Sequence, residues 1–457
     1  MASFASKLSR LPKMPGGTTP VATSDAPAPD VAPAPTRVPV SAPAPARVPV
    51  SAPAPARGQT TDSAAEAAVK SKPTLDELRA RISRIVAKVS APAPRPNPTE
   101  GELPFYLEQT DLGPLHVRRE KSVPAARVGR VPLVAARDAD PAMLSLLALD
   151  PELSGCDIRK AVFLDTETTG LQGGTGTVPF LLGLAFYDEV HGGFVLEQAL
   201  LRRLGEEAPI LELAARRLEE ASMIVTYNGK AFDLPLLRTR FVMNRMKVPT
   251  DKPHLDLVHV ARRIHGQRLK HRTLVNIENE VLGRERVGDV GGADVVQCYM
   301  HYLRTGDESA LSGVIEHNAA DVLSMVALVG LYGEPLGSLC GEDLAGVAKT
   351  LRRAGDLEKA SEMAEAALDK GGGSLARRAR GDIAKARGDK ARALLDYEVL
   401  STEVDDPKVR LELAKLYEHH VKSFAAALAL VELGTGEKDE ELEKRKARLN
   451  RKIERLA

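Results

Sequence analysis

The sequence predicts an α/β domain with a mixed five-stranded sheet flanked by helices, followed by an all-α helical domain. Two observations support the sheet. A hairpin-like pair of apolar runs precedes alternating helical and strand-like segments, and these runs have the length of buried strands. A third observation separates the helical domain, because beyond Gly337 the composition changes to alanine, leucine and charged residues with helical periodicity.

The chain is predicted to have four parts. They are a disordered proline- and alanine-rich linker at 1–99, a lead-in segment at 100–155, the α/β domain at 156–332 and a tetratricopeptide-like helical domain at 338–457.

The linker contains a ten-residue repeat, VPVSAPAPAR, whose proline content favours an extended chain without a core. Thr74 and Glu77 form a capping box that begins a short predicted helix at 74–90. Its apolar stripe is expected to dock on this protein or on a partner.

In the α/β domain, strand-like and helical segments follow one another in the order of a mixed sheet. The lead-in carries two short strand-like runs, at 114–117 and 130–134. The predicted elements after it are a strand at 161–168, a hairpin at 179–187 and 193–201, a helix at 211–218, a strand at 223–226 and a fifth strand ending at 254–256.

The C-terminal domain shows a weak internal repeat. Residues 355–360 (GDLEKA) are echoed by residues 388–393 (GDKARA), a period that resembles tetratricopeptide helix pairs. A plain helical bundle is the alternative, because the copies are degenerate.

Charge and cysteine content exclude some classes of protein. The chain has 63 basic and 62 acidic side chains, so any phosphate contact must come from local clusters. Cys156, Cys298 and Cys340 are widely separated and form neither a Cys-x-x-Cys pair nor an even framework, which argues against structural disulfides and a zinc site. No apolar h-region or stretch long enough for a bilayer was found, which predicts a cytoplasmic protein without membrane contact.

The candidate site begins where the first strand of the sheet ends. Four apolar residues, 161–164, run into Asp165 and Glu167, and alternate residues of a strand share a face. Two carboxylates this close raise each other's pKa unless a cation lies between them, and Mg²⁺ and Mn²⁺ prefer such oxygen ligands. The alternative is an acidic turn after a strand.

Two later segments supply further carboxylates. They are Asn228-x-x-x-Phe232-Asp233 and His317-x-x-x-Asp321. Together with Asp165-x-Glu167 they resemble the three motifs of the DEDD (DnaQ-like) 3′→5′ exonuclease superfamily.

Within that superfamily the chain is most similar to the YprB-type ribonuclease H-like family. The likeness rests on the opening DTETTGLQGGTGT at 165–177 and the closing EHNAADVLS at 316–324. It covers roughly residues 100–332 and implies a ribonuclease H-like sheet.

The resemblance implies a two-metal site for phosphodiester hydrolysis, with two Mg²⁺ or Mn²⁺ ions about 4 Å apart. Asp165 would bridge both ions, Glu167 and Asp321 would complete one, and Asp233 would act through water on the other. His317, one helical turn before Asp321, would be the general base. Its spacing departs from the superfamily, which has histidine five or tyrosine four residues before the last Asp. Alternatives are a helix-capping role for His317 and an N-cap role for Asp233.

Substrate contacts are expected from three regions. They are the loop after the first strand, the second motif and the basic run at 262–272. The candidate substrate-binding residues are Thr168, Thr169, Gly170, Asn228, Phe232, Arg268 and Lys270. For Phe232 core packing is an alternative, and for the basic run a solvated surface.

The leading hypothesis is a metal-dependent 3′→5′ exonuclease acting on single-stranded ends of RNA or DNA, with a protein partner on the C-terminal helices. The alternative is a non-catalytic nucleic-acid-binding adaptor that recruits partners through those helices. The sequence does not distinguish RNA from DNA, because recognition of the 2′-hydroxyl has no linear signature.

Overall fold

The structure is a computed structural model that describes residues 103–170, 176–333 and 336–456. All of them belong to one compact unit, Pro92–Ala457. The predicted helix at 74–90 and the glycines at 173 and 174 lie outside the described residues.

A mixed seven-stranded sheet forms the centre of the described unit, with the strand order β1-β2-β7-β6-β5-β8-β9. β5 is antiparallel to β6 and parallel to β8, which in turn is parallel to β9. The strands are β1 Tyr106–Thr110, β2 Gly113–Lys121, β5 Ala161–Thr168, β6 Pro179–Asp188, β7 Gly193–Leu200, β8 Met223–Thr226 and β9 His254–Asp256. A separate two-stranded ladder joins β3 Arg127–Val128 to β4 Val131–Pro132.

The five predicted strands of the sheet are confirmed as β5 to β9. β1 and β2 extend this sheet because β2 pairs with β7, so part of the lead-in segment belongs to it. The run at 130–134 contributes only β4, and a 3₁₀ helix, Leu133–Asp138, follows.

Core residues lie on both faces of the sheet. On β5, Val162 and Leu164 belong to one apolar cluster, whereas Phe163 belongs to another. Burial of both faces explains why β5 begins as a continuous apolar run and does not alternate.

Helices cover the sheet and form the C-terminal array. Those of the sheet region are α1 Pro141–Ala148, α2 Ala208–Glu220, α3 Asp233–Met243, α4 Leu257–Ile264, α5 Leu274–Ile277, α6 Gly292–Thr305 and α7 Ser309–Gly333. Those of the array are α8 Gly341–Ala354, α9 Leu357–Asp369, α10 Gly373–Ala386, α11 Lys390–Glu403, α12 Pro407–Leu416, α13 Phe424–Glu432 and α14 Asp439–Glu454. Short π-helical turns occupy Glu278–Leu282 and Tyr417–Val421, and further 3₁₀ turns occupy Pro151–Gly155, Ile158–Lys160 and Leu336–Ser338. Consecutive helices of the array pack against each other, and the tetratricopeptide assignment stays a prediction.

Helix α7 packs against β5, β6 and β7. By length and composition alone it could cross a membrane, which corrects the expectation that no stretch approaches that length. In the structure, however, 78% of its apolar 18-residue window is buried inside the fold. Packing against the sheet therefore accounts for its composition.

A buried polar cluster joins the sheet region to α8. Asp343 of α8 lies 2.9 Å from His265 Nδ1 and 2.7 Å from Arg268 Nη2. His265 Nε2 lies 2.8 Å from the hydroxyl of Tyr332, near the end of α7. An added Cβ at Gly346 would overlap the carbonyl group of Ile264, so the helices meet closely here.

Candidate active site

The structure brings the four predicted carboxylates together at the end of β5. Asp165 and Glu167 lie on β5, Asp233 is the first residue of α3, and Asp321 lies on α7. Thr166 donates a hydrogen bond of 2.5 Å from Oγ1 to Asp233 Oδ1, which ties α3 to the strand. Asp233 is not the N-cap of α3, since that position is Phe232. A cavity of about 400 Å³ opens beside these acids, and its lining includes Asp165, Glu167, Thr168, Gly170, Asn228, Phe232 and Asp233.

Burial perturbs all four acids, and repulsion from other members of the group adds to it at Asp165 and Glu167. Burial raises the pKa of Asp165 well above its usual range, and the charges of Asp321, Asp233 and Glu167 raise it further. Burial also raises the pKa of Glu167 to about 7 and that of Asp233 to about 6. The pKa of Asp321 is raised by burial as well, although Arg286 opposes the change. Such a cluster needs added positive charge if all its members are to be ionised at neutral pH.

The donor set suits a divalent cation, because Mg²⁺ and Mn²⁺ prefer carboxylate oxygens. In the arrangement seen across the described residues, however, no three His, Cys, Asp or Glu side chains are grouped as ligands of one ion. The acids therefore offer the oxygen donors that these ions prefer, and their crowding favours a bound cation. Metal binding would require their side chains to move closer together.

Arg286 supplies the positive charge in this structure. It pairs with Asp321 and with the fully buried Glu278, whose Oε2 lies 2.5 Å from Arg286 Nε. Its side chain is 5% exposed. Sequence reasoning missed this arginine because the segment between the π-helical turn and α6 has no periodicity or motif.

His317 lies in the interior of α7 and is therefore not a helix cap. Its Nδ1 is 2.7 Å from Asp289 Oδ1, and its Nε2 is 3.7 Å from Asp321 Oδ2 and 3.9 Å from Glu167 Oε1. Burial lowers the pKa of His317, but Asp321, Asp289 and Glu167 together raise it above the ordinary value. Nδ1 thus lies between Asp289 and Arg286, whose Nη1 is 3.3 Å away, while Nε2 faces the acids.

A tight turn places the second motif at the cavity. Asn228 has a positive φ of 72°, and its backbone amide donates to Asp256 Oδ1 at 2.7 Å. The amide of Lys230 donates to the other oxygen of Asp256 at 3.0 Å. Asp256 therefore shapes this turn. Phe232 is 55% exposed at the cavity, which excludes core packing as its role.

The loop after β5 is closed at its base by Thr169. Its backbone amide donates to Val178 O and its Oγ1 accepts from the Val178 amide, both at 3.0 Å. Thr168 donates from Oγ1 to Gly170 O at 2.9 Å. Thr168 and Gly170 thus line the cavity, whereas Thr169 closes the loop.

The placement of the basic run differs from the prediction. Arg268 and Lys270 are not among the residues that line the cavity. Arg268 instead forms the ion pair with Asp343 of α8 and lies 3.5 Å from Glu280, while Lys270 is exposed. We correct the assignment of Arg268 to substrate binding, because Arg268 forms an ion pair that connects the sheet region to α8.

Asn318 is a further residue at the candidate site that sequence reasoning missed. It is fully buried on α7, and its Nδ2 donates to Asp165 Oδ2 at 2.8 Å. Its place between His317 and Asp321 in the third motif was the available signal.

Comparison with known proteins gives two matches. A model of the RNase H superfamily matches residues 162–332, which contain all four acids and His317. The uncharacterized protein YprB of Bacillus subtilis (strain 168) is 32% identical over 312 residues, which are 64% of this chain and 74% of that protein.

Proposed function

Because this chain belongs to the YprB-like family of the RNase H superfamily, we propose that it is a metal-dependent 3′→5′ exonuclease of single-stranded nucleic-acid ends. The region at 162–332 has a nuclease fold, and nucleases of this fold typically use divalent metal ions. The observation that carries the proposal is a group of four acids with raised pKa values, three of which, Asp165, Glu167 and Asp233, line one cavity.

Asp165, Glu167, Asp233 and Asp321 would hold the ions. Two Mg²⁺ or Mn²⁺ ions held there would lower the pKa of the attacking water and stabilise the charge on the leaving 3′ oxygen. In the reaction, water adds to phosphorus, the bond from phosphorus to the 3′ oxygen breaks, and a mononucleotide leaves.

His317 accepts the proton of the attacking water in this proposal. Its Nε2 faces Glu167 and Asp321, and Asp289 holds the opposite side of the ring. Asp289 also stabilises the imidazolium that forms, because the two groups are then oppositely charged.

Phe232 would receive a base of the substrate. An aromatic ring that is half-exposed beside the acids offers a surface on which any of the four bases can stack, so binding would depend little on sequence. A single-stranded end offers such an unpaired base, whereas a duplex does not.

A cleavage assay tests this proposal. Oligonucleotides of RNA and DNA, labelled at the 5′ end, are incubated with Mn²⁺ or Mg²⁺ and the wild type, Asp165→Asn or Asp233→Asn. We expect a ladder shortened from the 3′ end by the wild type and a loss of at least about 100-fold in either variant. Asp307→Asn, an exposed acid outside the cavity, is the control and should cleave like the wild type. Equal cleavage by the wild type and Asp165→Asn would show that this site is not the catalyst.

A second candidate function is a nucleic-acid-binding adaptor without catalysis, with a partner on the C-terminal helices. It is favoured by Arg286, which already neutralises Asp321 without an ion. Calorimetric titration with Mn²⁺ separates the two functions. A nuclease of the proposed kind binds Mn²⁺ and loses this binding in Asp165→Asn, whereas the adaptor binds oligonucleotide but not Mn²⁺ at these acids.

A further inference from the structure

A row of residues crosses four strands and ends at Asp165. Arg118 of β2 is the direct cross-strand partner of Gln198 on β7, which is paired with Gly183 on β6 and through it with Asp165 on β5. Directly paired residues point to the same face of a sheet. Three polar side chains therefore share one face, with a gap at the glycine.

Asn318 of α7 fills that gap. A Cβ at Gly183 would overlap the side-chain amide of Asn318, so the absence of a side chain at this point lets the helix residue reach the sheet. The two ends of the Asn318 amide have different partners. Oδ1 accepts from Gln198 Nε2 at 2.9 Å, and Nδ2 donates to Asp165 Oδ2 at 2.8 Å.

The direction of these hydrogen bonds follows from chemistry. Arg118 has only donors, so the atom of Gln198 that faces its Nη1 at 3.3 Å must be the oxygen. The nitrogen of Gln198 then donates to the carbonyl oxygen of Ile315 at 2.9 Å and to Asn318. Arg118 and the carbonyl oxygen of Ile315 therefore require the same orientation of the Gln198 amide. Asn318 must consequently present its nitrogen to Asp165.

Arg118 is itself held in place. Its side chain is 9% exposed and pairs with Glu120 and with Glu316, the latter at 2.8 Å. Gln198 is fully buried. In such a buried series of hydrogen-bonded side chains, the orientation of one side chain restricts that of the next, because a polar atom that loses its partner cannot bond to water instead.

We propose that Arg118, Gln198 and Asn318 form a positioning relay that fixes the side chain of Asp165. The relay commits Oδ2 of Asp165 to an N–H donor and leaves its other oxygen for a ligand in the cavity. The role in catalysis rests on the proposed function, whereas the relay itself is a property of the fold. Arg118 lies outside the segment that matches the superfamily model, so a residue of the lead-in segment contributes to the site.

The relay is tested by thermal unfolding of Gln198→Glu, Asp165→Asn and the double variant. A carboxylate at position 198 cannot donate to Asn318, so the Asn318 amide turns and presents its oxygen to Asp165. Asp165→Asn then restores a donor. We expect Asp165→Asn to raise Tm by about 2 °C more in the Gln198→Glu background than in the wild type. Additive changes in Tm would overturn the relay.

Two controls separate the relay from direct repulsion between acids. The cycle is repeated in an Asn318→Leu background, where coupling through the amide must disappear but charge repulsion would persist, so coupling that survives overturns the proposal. Gln109→Glu, the same change at an exposed position on β1, should be additive with Asp165→Asn. If Gln198→Glu does not fold, the cycle pairs Gln198→Met with Asn318→Leu, because two side chains that bond each other lose stability non-additively when both are removed, and additivity then overturns the relay.

Cleavage supplies the readout of function. If the relay prepares Asp165 for metal, Gln198→Glu should raise the Mn²⁺ concentration for half-maximal cleavage about tenfold while KM for the oligonucleotide is unchanged. A variant that keeps the wild-type metal dependence overturns this role. Coupling in Tm together with a wild type that cleaves nothing would retain the relay and reject the proposed nuclease.

Discussion

The junction between the sheet region and α8 allows one prediction with a calculable size. Asp343 is 2% exposed and contacts His265 and Arg268. Burial alone would raise the pKa of Asp343, but the hydrogen bonds from His265 and Arg268 lower it to about 2. The ionised carboxylate is therefore more stable in the folded chain than in the unfolded one.

The size follows from linkage. An unfolded aspartate has a pKa of about 3.9, and each unit of difference corresponds to about 1.4 kcal/mol. Ionisation of Asp343 thus contributes roughly 2.6 kcal/mol to the free energy of unfolding at neutral pH. Because the folded pKa is the lower one, this contribution is complete above about pH 4 and is lost as the pH falls toward 2.

The test is Asp343→Asn, which keeps the size of the side chain but cannot ionise. At pH 7 we expect a loss of roughly 2.6 kcal/mol, equivalent to about 4 °C in Tm if the described residues unfold as one unit. The difference from the wild type should shrink as the pH falls from 4 to 2. Glu342→Gln, one residue earlier on α8, is the control. Equal stability of Asp343→Asn and wild type at pH 7, or a difference that stays constant down to pH 2, would refute the reasoning.

Two further predictions concern the candidate site. Asp289→Asn removes the negative charge beside His317 and should lower the pKa of His317. The acid limb of the pH profile for kcat should therefore move to lower pH, and kcat should fall about tenfold. An unchanged profile would contradict the assignment of His317 as the general base. Phe232→Leu should raise KM for oligonucleotides about tenfold through lost stacking. Its Tm should not change because the ring is half-exposed, and an unchanged KM would remove Phe232 from substrate binding.

Local patterns were sufficient for part of the fold and the site. The five strands β5 to β9 were predicted because apolar runs and turns are features of short segments. The four acids were predicted because each lies beside an apolar segment in a compact motif and the three motifs occur in the expected order. Their convergence is seen in the structure, whereas their binding of metal stays a prediction, as do the domain boundaries and the cytoplasmic location.

Long-range partners were not visible in the sequence. Arg268 belongs to a basic run, and its acidic partner is 75 residues away on another helix, so its charge suggested phosphate binding. The role of Asn318 depends on Gln198, 120 residues away, and on the register that places Gly183 beneath it. Arg286 and Asp289 lie in the segment between the π-helical turn and α6, whose sequence has no helical or strand periodicity. Each of these cases depends on pairing that only the folded chain defines.

β2 also protects the sheet against self-association. All eight residues of β7, Gly193–Leu200, are buried, and β2 covers the side of β7 that faces away from β6. A shortened polypeptide that starts at residue 156 would expose a long apolar edge with unpaired backbone groups, which is a template for pairing with another copy. A polypeptide that begins at that boundary should aggregate, whereas one that begins before residue 103 should remain monodisperse.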